Sequence, residues 1–99
     1  MIVLDTQGKP ELAINGANKL IDVDKVPVFI TAWSSVVKAV APIANRNGVL
    51  ELNKGANSPG IAPPGDYVYT TFPLAEVDVT VVARYTKEKP GKSRAAVCT

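Results

Sequence analysis

Between residues 66 and 86 the run DYVYTTFPLAEVDVTVVARYT constrains the fold more than any other stretch. In its second half Val77, Val79, Val81, Ala83 and Tyr85 share one parity, while Asp78, Thr80, Arg84 and Thr86 share the other. Val82 is the one apolar exception. Period two over such a length is the pattern of a strand with one buried and one solvated face. The first half, residues 67–72, is an unbroken run of β-branched and aromatic side chains that suits a pleated surface. Pro73 lacks the N–H that a ladder needs, so pairing is expected to stop there and the chain to turn through residues 73–76. The expectation is a β-hairpin or corner around which the remaining chain packs.

Upstream, short apolar segments at residues 2–4, 11–14 and 19–24 alternate with the turn formers of 5–10 and 15–18, which reads as two or three short strands. Residues 26–44 are ambiguous. As a helix they place Phe29, Ala32, Trp33, Val36, Val37, Val40 and Ala44 on one face. VPVFITAW alone reads as a strand, and Pro42 cannot sit in a regular helix interior. A helix over roughly 30–41 is preferred, with Phe29, Trp33, Val36, Val37 and Val40 as core and Trp33 facing inward. Residues 45–48 (NRNG) form a turn and 49–52 (VLEL) a short strand. Residues 53–65 (NKGANSPGIAPPG) are too long and too rich in Pro and Gly for a hairpin turn, and long loops in compact domains tend to carry function. Pro64-Gly65 fits the central positions of a type II turn.

Chemistry is bounded mainly by what is missing. The 99 residues contain no histidine, which removes imidazole metal ligation and His-dependent nucleophile pairs. The single cysteine, Cys98, is next to the end of the sequence, so there is no intrachain disulfide and no Cys-rich metal site. Asp22 and Asp24, like Glu76 and Asp78, sit two apart and read as solvated strand-face residues without a Ca²⁺-loop pattern. Gly91-Lys92-Ser93 resembles the end of a phosphate loop, but Thr86 stands where the first glycine should be. No enzyme activity, cofactor or metal is expected. No secretory signal is visible at MIVLD, and the longest uncharged run, residues 26–37, is too short to span a bilayer. The sequence therefore reads as soluble and cytoplasmic, with no membrane partner.

One domain over residues 1–86 with a basic, flexible tail over 87–99 is the expected organisation. Lys87, Lys89, Lys92 and Arg94 against Glu88 give that tail +3, while the whole chain carries +2. The expected fold is α+β: a small antiparallel sheet of about five or six strands with one helix packed on it, the alternative being an all-β sandwich or barrel. The expected role is a non-catalytic structural or interaction subunit of a larger assembly, such as a virus or phage particle. Its contacts to a protein partner or a second copy would run through Asn57, Ser58, Pro59, Ile61, Pro63 and Pro64 of the loop and Lys87, Lys89, Lys92 and Arg94 of the tail. Weakly protected strand edges at 2–4 and 49–52 favour a homo-oligomer. The alternative is a small nucleic-acid-binding module using the tail with Tyr67, Tyr69 and Tyr85.

Overall fold

The computed structural model describes residues 1–63, 65–89, 94 and 96. Its elements run α1 (Pro10–Asp22), β1 (Val28–Thr31), α2 (Ser34–Asn47), β2 (Leu50–Asn53), β3 (Val68–Thr70) and α3 (Ala75–Glu88). The three strands form one sheet in the order β1-β2-β3, and both pairings are parallel. The expected antiparallel α+β fold and its all-β alternative are both incorrect: this is a parallel α/β sheet in which α2 makes the β1–β2 crossover and residues 54–67, without a helix, make the β2–β3 crossover.

Three segments account for the difference. Residues 10–22, expected as two short strands around a turn at 15–18, form α1, because Pro10 starts a helix at a position whose N–H would have no helical partner, and Ala13, Ala17 and Ile21 recur every four residues on a buried face. The Asn-Gly pair inside α1 is no turn. Gly16 instead lets Leu4 approach, its Cδ1 lying 3.3 Å from where a Cβ would stand. Residues 77–86, whose alternation suggested a strand, lie in α3. There Val77, Val81 and Tyr85 also satisfy a spacing of four, Glu76 and Asp78 suit the positive end of the first turn, and the Thr80 and Thr86 hydroxyls donate to carbonyls four residues back. None of the residues of α3 is buried, so packing did not have to select either period.

The ambiguous segment resolves into both readings in succession. VFIT is β1, and the helix begins four residues later than expected and continues beyond residue 41. Pro42 lies inside α2 on its exposed side, where the carbonyl it leaves without a helical donor can meet water. Gly48, at φ +63°, ends the helix in the left-handed conformation that glycine adopts without strain. Phe29, Val36, Val37 and Val40 are buried as expected, but Trp33 is 67% exposed. It precedes the first turn of α2 at φ +69°, outside the helix on whose apolar face it was expected.

One core cluster joins α1, Phe29, Val49 and the Val36, Val40, Ile43 and Ala44 side of α2. A second joins Val37 to Ala56, Ile61 and Val68. Ile61 was expected to face a partner, yet it is 3% exposed and anchors the 54–67 crossover against α2 and β3. The turn expected at 64–65 is consistent with Gly65 at φ +92° and an Asp66 N–H to Pro63 C=O bond of 3.2 Å, while Pro64 itself lies outside the described residues.

Candidate ligand-binding site

Because the strands are parallel and paired in register Thr31↔Asn53↔Thr70, their carboxyl ends share one edge of the sheet. The three segments leaving that edge are residues 32–33 into α2, residues 54–67, and residues 71–74 into α3. In open α/β sheets this edge is where ligands bind.

Asn53 organises the edge. It is fully buried, and its Oδ1 accepts from the N–H groups of Gly55 at 3.1 Å and Ala56 at 2.7 Å. Its Nδ2 donates to the Ala56 carbonyl and, at 3.3 Å, to Thr70 Oγ1. Its own carbonyl accepts from Thr71 N–H at 3.1 Å and Thr71 Oγ1 at 3.2 Å. One side chain thus fixes the start of the 54–67 loop and joins it to the end of β3. The loop is held at three further points. Lys54 N–H donates to Thr31 C=O at 2.9 Å, Lys38 Nζ of α2 donates to Ser58 Oγ at 2.9 Å, and Ala75 N–H of α3 donates to Asn57 C=O at 2.8 Å. Gly55 lies so close to the β1–α2 connection that a Cβ there would stand 3.2 Å from Ala32 Cβ.

Electrostatically the edge is open to an anion. No side chain caps α2, and no acidic residue lies in its first turn, whereas α1 carries Glu11 and α3 carries Glu76 and Asp78. The N–H groups behind Ser34 and Ser35 carry the positive end of the helix dipole. Behind the edge lies Glu51, fully buried, whose Oε1 accepts from Thr31 Oγ1 at 2.6 Å while its Oε2 has no partner among the described residues. Burial pushes its carboxyl up to about 7, against the smaller opposing effect of the Thr31 hydrogen bond.

The residues singled out from sequence divide accordingly. Asn57, Ser58 and Pro59 lie in the part of the loop that leaves this edge, exposed or half-buried; Pro63 is exposed near the start of β3; Ile61 is core; Pro64 is outside the described residues. Of the tail, Lys87 is in the last turn of α3, Lys89 sits 5.1 Å over the Tyr85 ring, and Arg94 is exposed. Lys92 and Cys98 lie outside the described residues. No hydrogen bond or ion pair joins the tail to the sheet edge among the described residues. Neither acidic pair forms a site: Asp24 pairs with Lys19 at 3.6 Å, and no cluster of metal-ligating side chains occurs among the described residues. Asn53, Ala32, Gly55 and the Ser34-Ser35 start of α2 were missed from sequence. The available signal was Ser-Ser directly after a β-branched run, a helix start, which an earlier assumed start concealed.

Residues 1–99 match the family model described as periplasmic binding protein. The chain belongs to that family. Among solved structures it is similar to the leucine-binding protein LivK of Thermotoga maritima, with a TM-score of 0.78 and 26% identity over 88% of this chain. The chain spans about a quarter of the length of that protein, 25%. No curated protein matches the sequence. Membership in a family of periplasmic binding proteins overturns the expected virion subunit, its homo-oligomeric and nucleic-acid partners, and its cytoplasmic placement. No described helix is long and apolar enough to cross a membrane.

Proposed function

We propose that this chain supplies one wall of a small-molecule binding cleft, non-catalytic and serving transport, with an amino acid or similar carboxylate as ligand. The observation that carries this reading is the convergence, at the carboxyl edge of the parallel sheet, of an uncapped helix N-terminus with a loop held in place by a buried asparagine. A carboxylate at α2 would accept from the free N–H groups behind Ser34 and Ser35, as anions do at helix N-termini. Asn57 and Ser58 offer polar groups from the neighbouring loop, and Lys54 adds positive charge where the loop begins. Trp33, a bulky residue at positive φ, is the kind of backbone outlier that is kept where a site needs it. The similarity to a leucine-binding protein supports an amino acid as the first ligand class to examine.

Trp33 is the sole tryptophan and stands at this edge, so its emission reports on the site directly. Titration with leucine, with leucinamide and with a hydrophilic amino acid tests the reading. Saturable change with leucine and at least tenfold weaker response to leucinamide is expected, because the amide lacks the anion. Equal responses to leucine and leucinamide would remove the carboxylate from the account, and the absence of any saturable change with amino acids would overturn it.

A further inference from the structure

Two residues behind the row Thr31–Asn53–Thr70, and so on the same face of the sheet, stands the row Phe29–Glu51–Val68. That face is the one α2 covers, since Phe29 clusters with Val36 and Val40 and Val68 clusters with Val37. Glu51 is therefore held between two apolar neighbours beneath a helix, about 7 Å behind the edge at two residues of strand rise. It is fully buried, and its one hydrogen-bond partner among the described residues is Thr31 Oγ1, 2.6 Å from Oε1; Oε2 has none.

Nothing charged offsets that burial. β1 has no charged side chain, and Tyr69, the titratable residue of β3, alternates to the opposite face. On α2, Lys38 and Arg46 are exposed, and Lys38 Nζ is engaged with Ser58 Oγ. Lys54, just after β2, is exposed, and Asp66, just before β3, is half-buried. None of these makes an ion pair or hydrogen bond with Glu51 among the described residues. Burial accordingly raises the Glu51 carboxyl to about 7, so its proton is held or lost within the ordinary pH range.

Where that proton sits follows from hydrogen-bond satisfaction. On Oε2 it would be a buried donor without an acceptor. On Oε1 it meets Thr31 Oγ1 and leaves only a carbonyl-type oxygen unpaired, the lesser cost. A threonine hydroxyl has a single hydrogen to give. With Glu51 protonated, Thr31 Oγ1 accepts and its hydrogen is free. With Glu51 ionised, the carboxylate only accepts, and the Thr31 hydrogen is drawn inward to it. Thr31 is half-buried, ends β1, and leads through residues 32–33 to the uncapped start of α2.

We propose that Glu51 and Thr31 form a proton-operated donor at the carboxyl edge: protonated Glu51 frees the Thr31 hydroxyl for a ligand carboxylate, and ionised Glu51 withdraws it. The inference rests on the carboxylate reading given above. Ionisation acts twice in the same direction, because it removes a donor and places a like charge behind the ligand. Linkage is reciprocal, so a bound carboxylate raises the proton affinity of Glu51, and binding takes up a proton wherever the free protein is ionised. Affinity is full below the Glu51 titration and falls as pH rises through it.

The test measures leucine affinity by Trp33 emission at pH 6, 7 and 8, where leucine stays a zwitterion, for wild type, Glu51→Gln, Thr31→Val and Thr31→Ser. Circular dichroism at each pH confines the comparison to folded protein. If the protonated form alone binds, affinity follows the protonated fraction, which drops from about nine-tenths at pH 6 to about one-tenth at pH 8. Wild type should therefore weaken roughly tenfold, while the glutamine variant keeps its pH 6 affinity throughout. Thr31→Val should bind roughly tenfold more weakly than wild type at pH 6, and Thr31→Ser should restore binding. Calorimetry at pH 7.5 in two buffers of different ionisation enthalpy should register proton uptake with wild type and none with Glu51→Gln. Wild-type affinity that is equal at pH 6 and pH 8, or that falls equally in Glu51→Gln, would overturn the inference and leave leucine binding standing. Wild-type affinity in Thr31→Val at pH 6 would overturn it too. No saturable response to leucine at any pH would remove the carboxylate reading and this inference with it.

Discussion

Replacing Glu51 by glutamine tests the electrostatic reading of the sheet most directly. Glu51 is 0% exposed, its Oε1 accepts from Thr31 Oγ1, and its Oε2 has no partner among the described residues. Its carboxyl rises from an ordinary 4.5 to about 7, first because burial penalises the charge, with the Thr31 bond acting in the opposite direction. Below pH 4.5 the group is protonated in both folded and unfolded chains and contributes no pH dependence. Between pH 4.5 and about 7 the folded chain holds a proton that the unfolded chain has released, so stability falls as pH rises through that window. Above about pH 7 both states are ionised and the slope ends. Over the whole window the loss is roughly 3 kcal/mol, at about 1.4 kcal/mol per pH unit of displacement. Glutamine keeps a carbonyl for Thr31 and cannot ionise. Urea denaturation of both proteins at pH 5, 6, 7 and 8 should give stabilities within about 1 kcal/mol at pH 5 and an advantage for the variant that grows by roughly 2–3 kcal/mol between pH 5 and pH 8, a large share of a small domain's total. A difference between the two that stays constant from pH 5 to pH 8 would refute the buried, neutral carboxyl.

Four further substitutions separate core from site. Asn53→Ala leaves the Gly55 and Ala56 amides without their acceptor and should cost roughly 2–3 kcal/mol in denaturation, with ligand response lost at protein concentrations where the fold persists. Val37→Ala, at a fully buried position, should cost about 2 kcal/mol, whereas Trp33→Ala should stay within about 1 kcal/mol, and native tryptophan emission should already lie at the water-exposed wavelength. Gly55→Leu should weaken leucine binding more than tenfold with an unchanged circular dichroism spectrum, because its Cβ would meet Ala32 at 3.2 Å while Gly55 has no positive φ to preserve. Binding at the original affinity would show that the contact between the two loops does not shape the site.

The sequence made some of this legible and concealed the rest for identifiable reasons. The strand at residues 68–70 stood out because β-branched and aromatic residues cluster there, the strand at 50–53 falls within one residue of the short strand read at VLEL, and the buried side of α2 was recognisable from the spacing of Val36, Val37 and Val40. α1 was concealed by its Asn-Gly pair, since that dipeptide signals a turn unless packing, here against Leu4, gives the glycine another use. α3 was concealed because valines at 77, 79 and 81 satisfy a period of two, and a helix that buries nothing leaves no apolar face to contradict it. Trp33 was placed inside because it falls with the apolar face of a helix expected from about residue 30, whereas the strand ends at Thr31 and the helix begins at Ser34. Glu51 was passed over as one letter in VLEL, where sequence cannot show that both its faces are covered.

The sense of strand pairing decided whether the candidate site could be seen at all. In an antiparallel sheet, the segments following β1 and β2 leave from opposite ends, and the loop carrying Asn57 and Ser58 lies a strand's length from Trp33 and Ser34. In the parallel sheet both leave from the same edge, and Gly55 comes within contact of Ala32. Parallel pairing needs a crossover of about a dozen residues or more, and residues 54–67 are such a crossover, made from a Pro- and Gly-rich loop rather than a helix. Its length was read as a surface for a protein partner because no helix within it announced a β-α-β unit. The same loop length that suggested an external partner is what returns the chain to start β3 beside β2. Asn53 then converts that return into a fixed geometry by bonding the loop's first turn and Thr70 at once. The binding edge therefore follows from chain direction, and the individual residues acquire their roles only after that direction is known.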